Sequence, residues 1–386
     1  MEHGKFPGRL LLQWHLSERC NLRCRHCYQD TYEINARGLE DWRRLLQHYT
    51  AFLKARSGMR GHINLTGGEP LALSEFPALM ETLAGIPDTI PVGILSNGTL
   101  IDDRMARQLR DWRVHHVQVS LDGNRATHDA IRGSGAFDAA ILGLRALKAA
   151  RVKSVIAFTA QRSNWREFPD IAALGAKLGV SRVWADRLIP SGQAQRDDVM
   201  TPEETREFFA LMAAARPPQR IRFFNKTQSE VAMHRALQFL MSGISTHNAI
   251  PYHCTAGNTL ITVMPDGTLY PCRRLPIAVG NVYETPLEIL YDCALFQRLR
   301  SKDWVSTGCE ACLFRMVCRG GLRCLAYAMT GRIDAADPGC WLVEQNASAA
   351  PSTTTTASAA TSAAAAASTP ASATTPSAVI PPWFAS

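Results

Sequence analysis

Cys20, Cys24 and Cys27 stand in the stretch CNLRCRHCY, at steps of four and three residues. Thiolates this close together in one loop are candidate ligands for a metal centre. Structural zinc asks for four ligands in a closed tetrahedron. The fourth candidate nearby, His26, directly precedes Cys27, and adjacent residues rarely both reach one small ion. A [4Fe–4S] cluster is larger and takes one thiolate per iron. Three thiolates then leave one iron open to a chelating ligand, so the spacing points to a centre that binds something.

Three further stretches end apolar runs in small polar residues: INLTGGEPLAL (63–73), VGILSNGTLI (92–101) and HVQVSLDGNRATHDAIRG (116–133). Gly67 and Gly68 let the backbone come close to a neighbour, Glu69 adds a carboxylate, and Pro70 fixes the outgoing chain. Ser96, Asn97, Ser120 and Asp122 follow the other two runs, at strand ends where barrel enzymes build their sites. Asn-Gly and Asp-Gly also read as plain turns.

The elements that must position these residues alternate. Candidate strands are 10–15, 63–65, 92–95, 114–121, 154–158, 182–186 and 220–224, with helical stretches such as 39–56 and 137–150 between them. This alternation predicts an α/β fold with a parallel sheet and right-handed crossovers, in an incomplete barrel of six to seven units.

The cysteine loop resembles the C-x3-C-x-φ-C signature of radical S-adenosylmethionine (SAM) enzymes, with His26 at φ, and GGEP resembles the motif that follows it in that family. The resemblance implies a partial (β/α)6 barrel and a cluster held by Cys20, Cys24 and Cys27. SAM would chelate its open iron, and one electron would release a 5′-deoxyadenosyl radical. It further implies SAM contacts by His26, Gly67, Gly68, Glu69, Pro70, Ser96, Asn97, Ser120, Asp122 and Arg132.

A second cysteine array begins at Cys254. Cys309-x2-Cys312-x5-Cys318 could open a zinc ribbon. The wider layout resembles the SPASM extension of radical SAM enzymes: Cys254, then Gly267-x4-Cys272, then the 309–318 run, then Cys340. The resemblance implies that Cys309, Cys312, Cys318 and Cys340 hold one auxiliary [4Fe–4S] cluster. For the other it supplies Cys254 and Cys272, but the family's next cysteine would fall at Leu322, and this chain offers Cys324 instead. One or two auxiliary clusters are therefore expected, with Cys324 as the shifted ligand. ITVMPDGTLYPC reads as a β-hairpin.

The domains expected are a core barrel over 8–225, a linking helix over 226–250, a cysteine-rich SPASM domain over 251–346 and a disordered Ala/Ser/Thr/Pro-rich tail over 347–386. The 386 residues carry 42 Lys and Arg against 34 Asp and Glu, a net charge of +8 spread without dense basic runs. That argues against nucleic acid as a partner. With no long apolar stretch, no membrane span is expected, and a cytoplasmic location follows in which eleven cysteines stay reduced.

SPASM-type enzymes mostly modify peptides or proteins, so the resemblance implies a maturase acting on a peptide or protein, such as a small precursor peptide. An electron donor such as flavodoxin or ferredoxin would serve it. With nineteen residues before Cys20, no winged-helix leader-binding module is expected. Where sulfatase maturases carry an aspartate after the G-x4-C cysteine, this chain has Arg273 and then Arg274. Formylglycine formation is disfavoured, and the two arginines either hold a carboxylate or form a solvated pair. The alternatives are a tetrapyrrole side-chain enzyme of the haem d1 type and a non-catalytic iron–sulfur or zinc protein.

Overall fold

The computed structural model describes residues 8–33, 37–56, 58–87, 89–216, 229–233, 237–242, 254–301 and 303–343, all within one compact unit. Seven strands run parallel and pair in chain order: β1 (Arg9–His15), β2 (Arg60–Thr66), β3 (Val92–Ser96), β4 (His116–Ser120), β5 (Ser154–Ala160), β6 (Arg182–Arg187) and β7 (Glu230–Ala232). The crossovers carry helices α1 (Leu39–Ala55), α2 (Phe76–Leu83), α3 (Asp103–Asp111), α4 (Arg125–Arg132), α5 (Ala136–Ala149), α6 (Phe168–Leu178) and α7 (Pro202–Ala214), with α8 (Phe239–Ser242) after β7. The cysteine-rich remainder holds β8 (Leu260–Val263) and β9 (Leu269–Tyr270), then α9 (Leu287–Tyr291), α10 (Ala294–Arg300), α11 (Arg315–Cys318) and α12 (Arg323–Thr330).

Strand alternation sorts the residues. Along β1, Leu10, Leu12 and Trp14 are fully buried beneath α1, where the Tyr49 hydroxyl donates to the Leu10 carbonyl at 2.7 Å and Trp42 meets Trp14 edge-on. Arg9, Leu11 and Gln13 instead line a large lumen, joined by His62, Asn64 and Thr66 of β2 and by His116, Gln118 and Ser120 of β4. The sheet stays open, with β7 and β9 at its edges.

Two features depart from the sequence expectation. The linking helix over 226–250 is replaced, where described, by strand β7 and the short α8. The free edge of β6 offers ladder bonds: Glu230 N–H donates to the Ser181 carbonyl at 3.1 Å, and its carboxylate pairs with Arg182 at 2.8 Å. A few residues gain more there than from helix propensity alone. The second departure is that the hairpin does not stand apart. β8 pairs parallel with β1, Leu11 opposite Leu260 and Gln13 opposite Thr262, so the cysteine-rich segment extends the barrel sheet. The strand expected over 220–224 and the tail over 347–386 lie outside the described residues. Among the described residues, no helix is long and apolar enough to cross a membrane.

Candidate functional site

The loop after β1 carries Cys20, Cys24 and Cys27 across the strand ends and is held from four sides. Gly68 N–H donates to the Ser17 carbonyl and Glu69 N–H to the Arg19 carbonyl, at 2.9 and 2.8 Å. A Cβ on Gly68 would lie 2.1 Å from the Arg19 carbonyl oxygen, and one on Gly67 2.5 Å from that of Ser17. The glycines thus admit the cysteine loop itself, besides lining the lumen. Beyond β3, the Asn97 side-chain amide donates to Asn21 Oδ1 at 2.8 Å and toward Cys20 Sγ at 3.9 Å. From α4, Arg132 Nη1 points at Cys24 Sγ, also at 3.9 Å, and the Ile131 carbonyl accepts from Arg25 N–H. The turn after β6 closes the ring, with Gln193 N–H donating to the Cys27 carbonyl at 2.7 Å.

The other expected contacts divide into lumen and support. Cys20, Cys24, His26, Cys27, Gly67, Gly68, Ser96, Asn97, Ser120 and Arg132 line the lumen; Glu69, Pro70 and Asp122 do not. Asp122 is fully buried and accepts from Arg132 Nε at 2.6 Å and Thr159 N–H at 2.7 Å, with His26 Nε2 at 3.0 Å. Burial alone would raise its carboxyl, but Arg132 and His26 hold it well below the usual carboxylate range. Its position is that of a support for the residues that face the lumen. Glu69 likewise turns inward, accepting from Ser96 Oγ, Asn97 N–H and Leu71 N–H at 2.9, 2.7 and 3.2 Å. Burial pushes it up to about 7 against those bonds. Pro70 is buried at the start of a 3₁₀ turn.

These residues fit an iron–sulfur cluster with SAM. Burial pushes the Cys20 thiol up to about 11 and raises Cys24. Buried thiolates need compensating cations, and cluster irons supply them. The buried Nδ1 of His26 has no partner among the described residues and remains available to a bound ligand.

The second array divides in two. Cys309, Cys312, Cys318 and Cys340 line one pocket together with Leu240 and Phe314. Burial, with the neighbouring thiols and Asp337, pushes Cys309 and Cys318 up to about 12. Cys254, Cys272 and Cys324 line the lumen instead. Leu322 caps α12 and Cys324 sits in its first turn, after Gly320 and Gly321 at φ 84° and 74°. The glycine turn delivers the shifted thiol to the same lumen as Cys254 and Cys272, and burial drives its pKa upward against the nearby Arg274 charge.

Sequence reasoning missed the residue that organises this region. Asp337, nearly fully buried, takes both Arg187 guanidinium nitrogens at 2.9 and 2.5 Å, and accepts from Leu322 N–H and Gly339 N–H at 2.8 and 2.9 Å. Arg274 is neutralised by Asp186, and Arg273 is buried over the Tyr28 ring, donating to the Tyr28 carbonyl at 3.0 Å. The solvated pair is therefore ruled out. Arg273 Nε has no partner among the described residues.

Residues 14–175 match the Radical SAM superfamily, and residues 254–313 match SPASM, an iron–sulfur cluster-binding domain. An AdoMet-dependent heme synthase of Methanosarcina barkeri is 27% identical over 346 residues, 86% of this chain and 95% of the relative. The mycofactocin maturase MftC of Mycolicibacterium smegmatis is 27% identical over 351 residues, 86% and 82% of the two chains. Among solved structures, Streptococcus suis SuiB bound to S-adenosylmethionine aligns with a TM-score of 0.68 at 18% identity, over 88% of this chain and 78% of that one.

Proposed function

The chain belongs to the radical SAM enzymes with an iron–sulfur SPASM domain, and from that premise we propose that it is a maturase taking hydrogen from a side chain or Cα of a peptide or protein. When bound, SAM and a [4Fe–4S] cluster would supply one-electron reductive chemistry and hydrogen abstraction. Cys20, Cys24 and Cys27 would hold that cluster. Asn97 and Arg132 direct N–H groups at two of the sulfurs, which favours the thiolate form. Asp122 fixes Arg132 and His26 in the lumen wall, and Glu69 ties the GGEP turn to Ser96 and Asn97. Cys309, Cys312, Cys318 and Cys340 would hold one auxiliary cluster, and Cys254, Cys272 and Cys324 a second with an open position.

The observation that carries the peptide reading is the lumen wall. Alongside both sets of thiols it presents Gln13, Asn64, Gln118, Ser120 and Thr159. Amide and hydroxyl side chains can donate to and accept from peptide groups, which a polypeptide in the lumen must satisfy. The test is co-expression with each short open reading frame found beside its gene, followed by mass spectrometry. A mass change with wild type and none with Cys24→Ala is expected; an unmodified peptide would sink the proposal. The heme synthase relative favours a second reading, a tetrapyrrole side-chain enzyme, which anaerobic turnover of iron coproporphyrin III would reveal.

A further inference from the structure

At the far end of the lumen from the cysteine loop, cations and imidazoles gather, and the carboxylate described at that end, Glu230, is already paired with Arg182. Arg9 opens β1, His62 lies on β2, His115 and His116 enter β4, and Lys153 precedes β5; all five line the lumen. The rings of His62 and His116 stand 5.7 Å apart, and those of His115 and His116 5.3 Å. Gly93 makes this possible, because a Cβ there would lie 2.3 Å from His116 Cε1 and 2.5 Å from Asn64 Oδ1.

Around the lumen Arg132 meets Asp122, Arg182 meets Glu230, Arg187 meets Asp337 and Arg274 meets Asp186. Arg9 and Lys153 have no carboxylate partner among the described residues. Arg9 instead donates to His62 Nδ1 at 2.5 Å, which leaves the ring proton on Nε2, donating to Asn64 Oδ1 at 2.9 Å. His62 is therefore a neutral donor beside a cation, and His116 is pushed down to about 3 by burial and then by its charged and imidazole neighbours. A positive, partly desolvated pocket of this kind lacks only its anion.

We infer that Arg9 and Lys153, set around the His62 and His116 rings, form a subsite that anchors a carboxylate of the substrate. The inference rests on the reading above that substrate occupies the lumen. With about 3.3 Å per strand residue, the seven-residue β1 sets this anchor roughly 20 Å from the cysteine loop. An extended peptide of some six residues would span that gap. The carboxylate could come from an acidic peptide or from a tetrapyrrole propionate, and the test has an arm for each.

Full-length, anaerobically reconstituted protein is panned against a random-peptide library and titrated with iron coproporphyrin III and its tetramethyl ester. Wild type is compared with R9Q/K153Q and the charge-keeping R9K/K153R, with iron content and thermal midpoint checking the fold. For a peptide source, wild type and R9K/K153R enrich peptides in Asp and Glu, and R9Q/K153Q loses that excess. For a propionate source, esterification or R9Q/K153Q weakens binding by about tenfold, the worth of one charged hydrogen bond. Enriched peptides with no acidic excess, together with equal porphyrin binding by all variants, would overturn the subsite while leaving substrate in the lumen. No enrichment and no porphyrin binding would overturn both.

Discussion

Asp122 and Cys324 show how single side chains divide the work. Removing the Asp122 charge leaves Arg132 buried without its counterion, and breaking a buried pair in this way costs about 3–5 kcal/mol. Asp122→Asn should therefore lower the unfolding free energy by that amount, read from denaturant melts, and SAM should no longer perturb the spectrum of the cluster. Cys324→Ala should lower iron by about four per chain in anaerobically reconstituted protein, the content of one cubane cluster; unchanged iron would exclude Cys324 as a ligand. Titration is equally specific. Burial pushes His62 and His128 down to about 4. Their stabilising share is full above about 6.5 and is lost as pH falls toward 4, by up to about 1.4 kcal/mol per pH unit each. Glu69, raised to about 7, works the other way: its share is present in acid and is lost as pH rises from about 4.5 to 7. Glu69→Gln should therefore show a steeper loss of stability on acidification than wild type, measured by thermal melts from pH 7 to 5.

At the level of elements, strand ends and the loops they face fix one another. GGEP was legible in the sequence because its residues are contiguous. That its glycines seat the cysteine loop was not, since Ser17 and Arg19 arrive from the loop after β1. Gly68→Ala would drive a Cβ into the Arg19 carbonyl, where backbone cannot yield cheaply. The expected result is protein that folds its sheet, by circular dichroism, yet retains less iron than wild type after reconstitution. Strand β7 teaches the converse. Its residues sat in a stretch read as helix, and the open edge of β6 decided against that reading.

Across the whole molecule, the barrel and the cysteine-rich segment share one sheet and are tied by buried ion pairs. β8 lies on β1, and Arg187 reaches Asp337 across 150 residues of sequence. Asp337→Asn should thus destabilise the chain by about 3–5 kcal/mol. It should also loosen Leu322 and Gly339, whose N–H groups it holds, and hydrogen exchange at both segments would report this.

The sequence by itself determined the cysteine loop, the strand–helix alternation and the second thiol array, because spacing along the chain encodes ligand reach and backbone period. It could not say which row of each strand faces the lumen, that Asp122 and Glu69 turn away from it, or that His62, His116, Arg9 and Lys153 meet at its base. Those outcomes depend on the register between strands and on the side toward which the sheet curls. Both are settled by contacts between residues far apart in the chain, and only the folded protein brings these together.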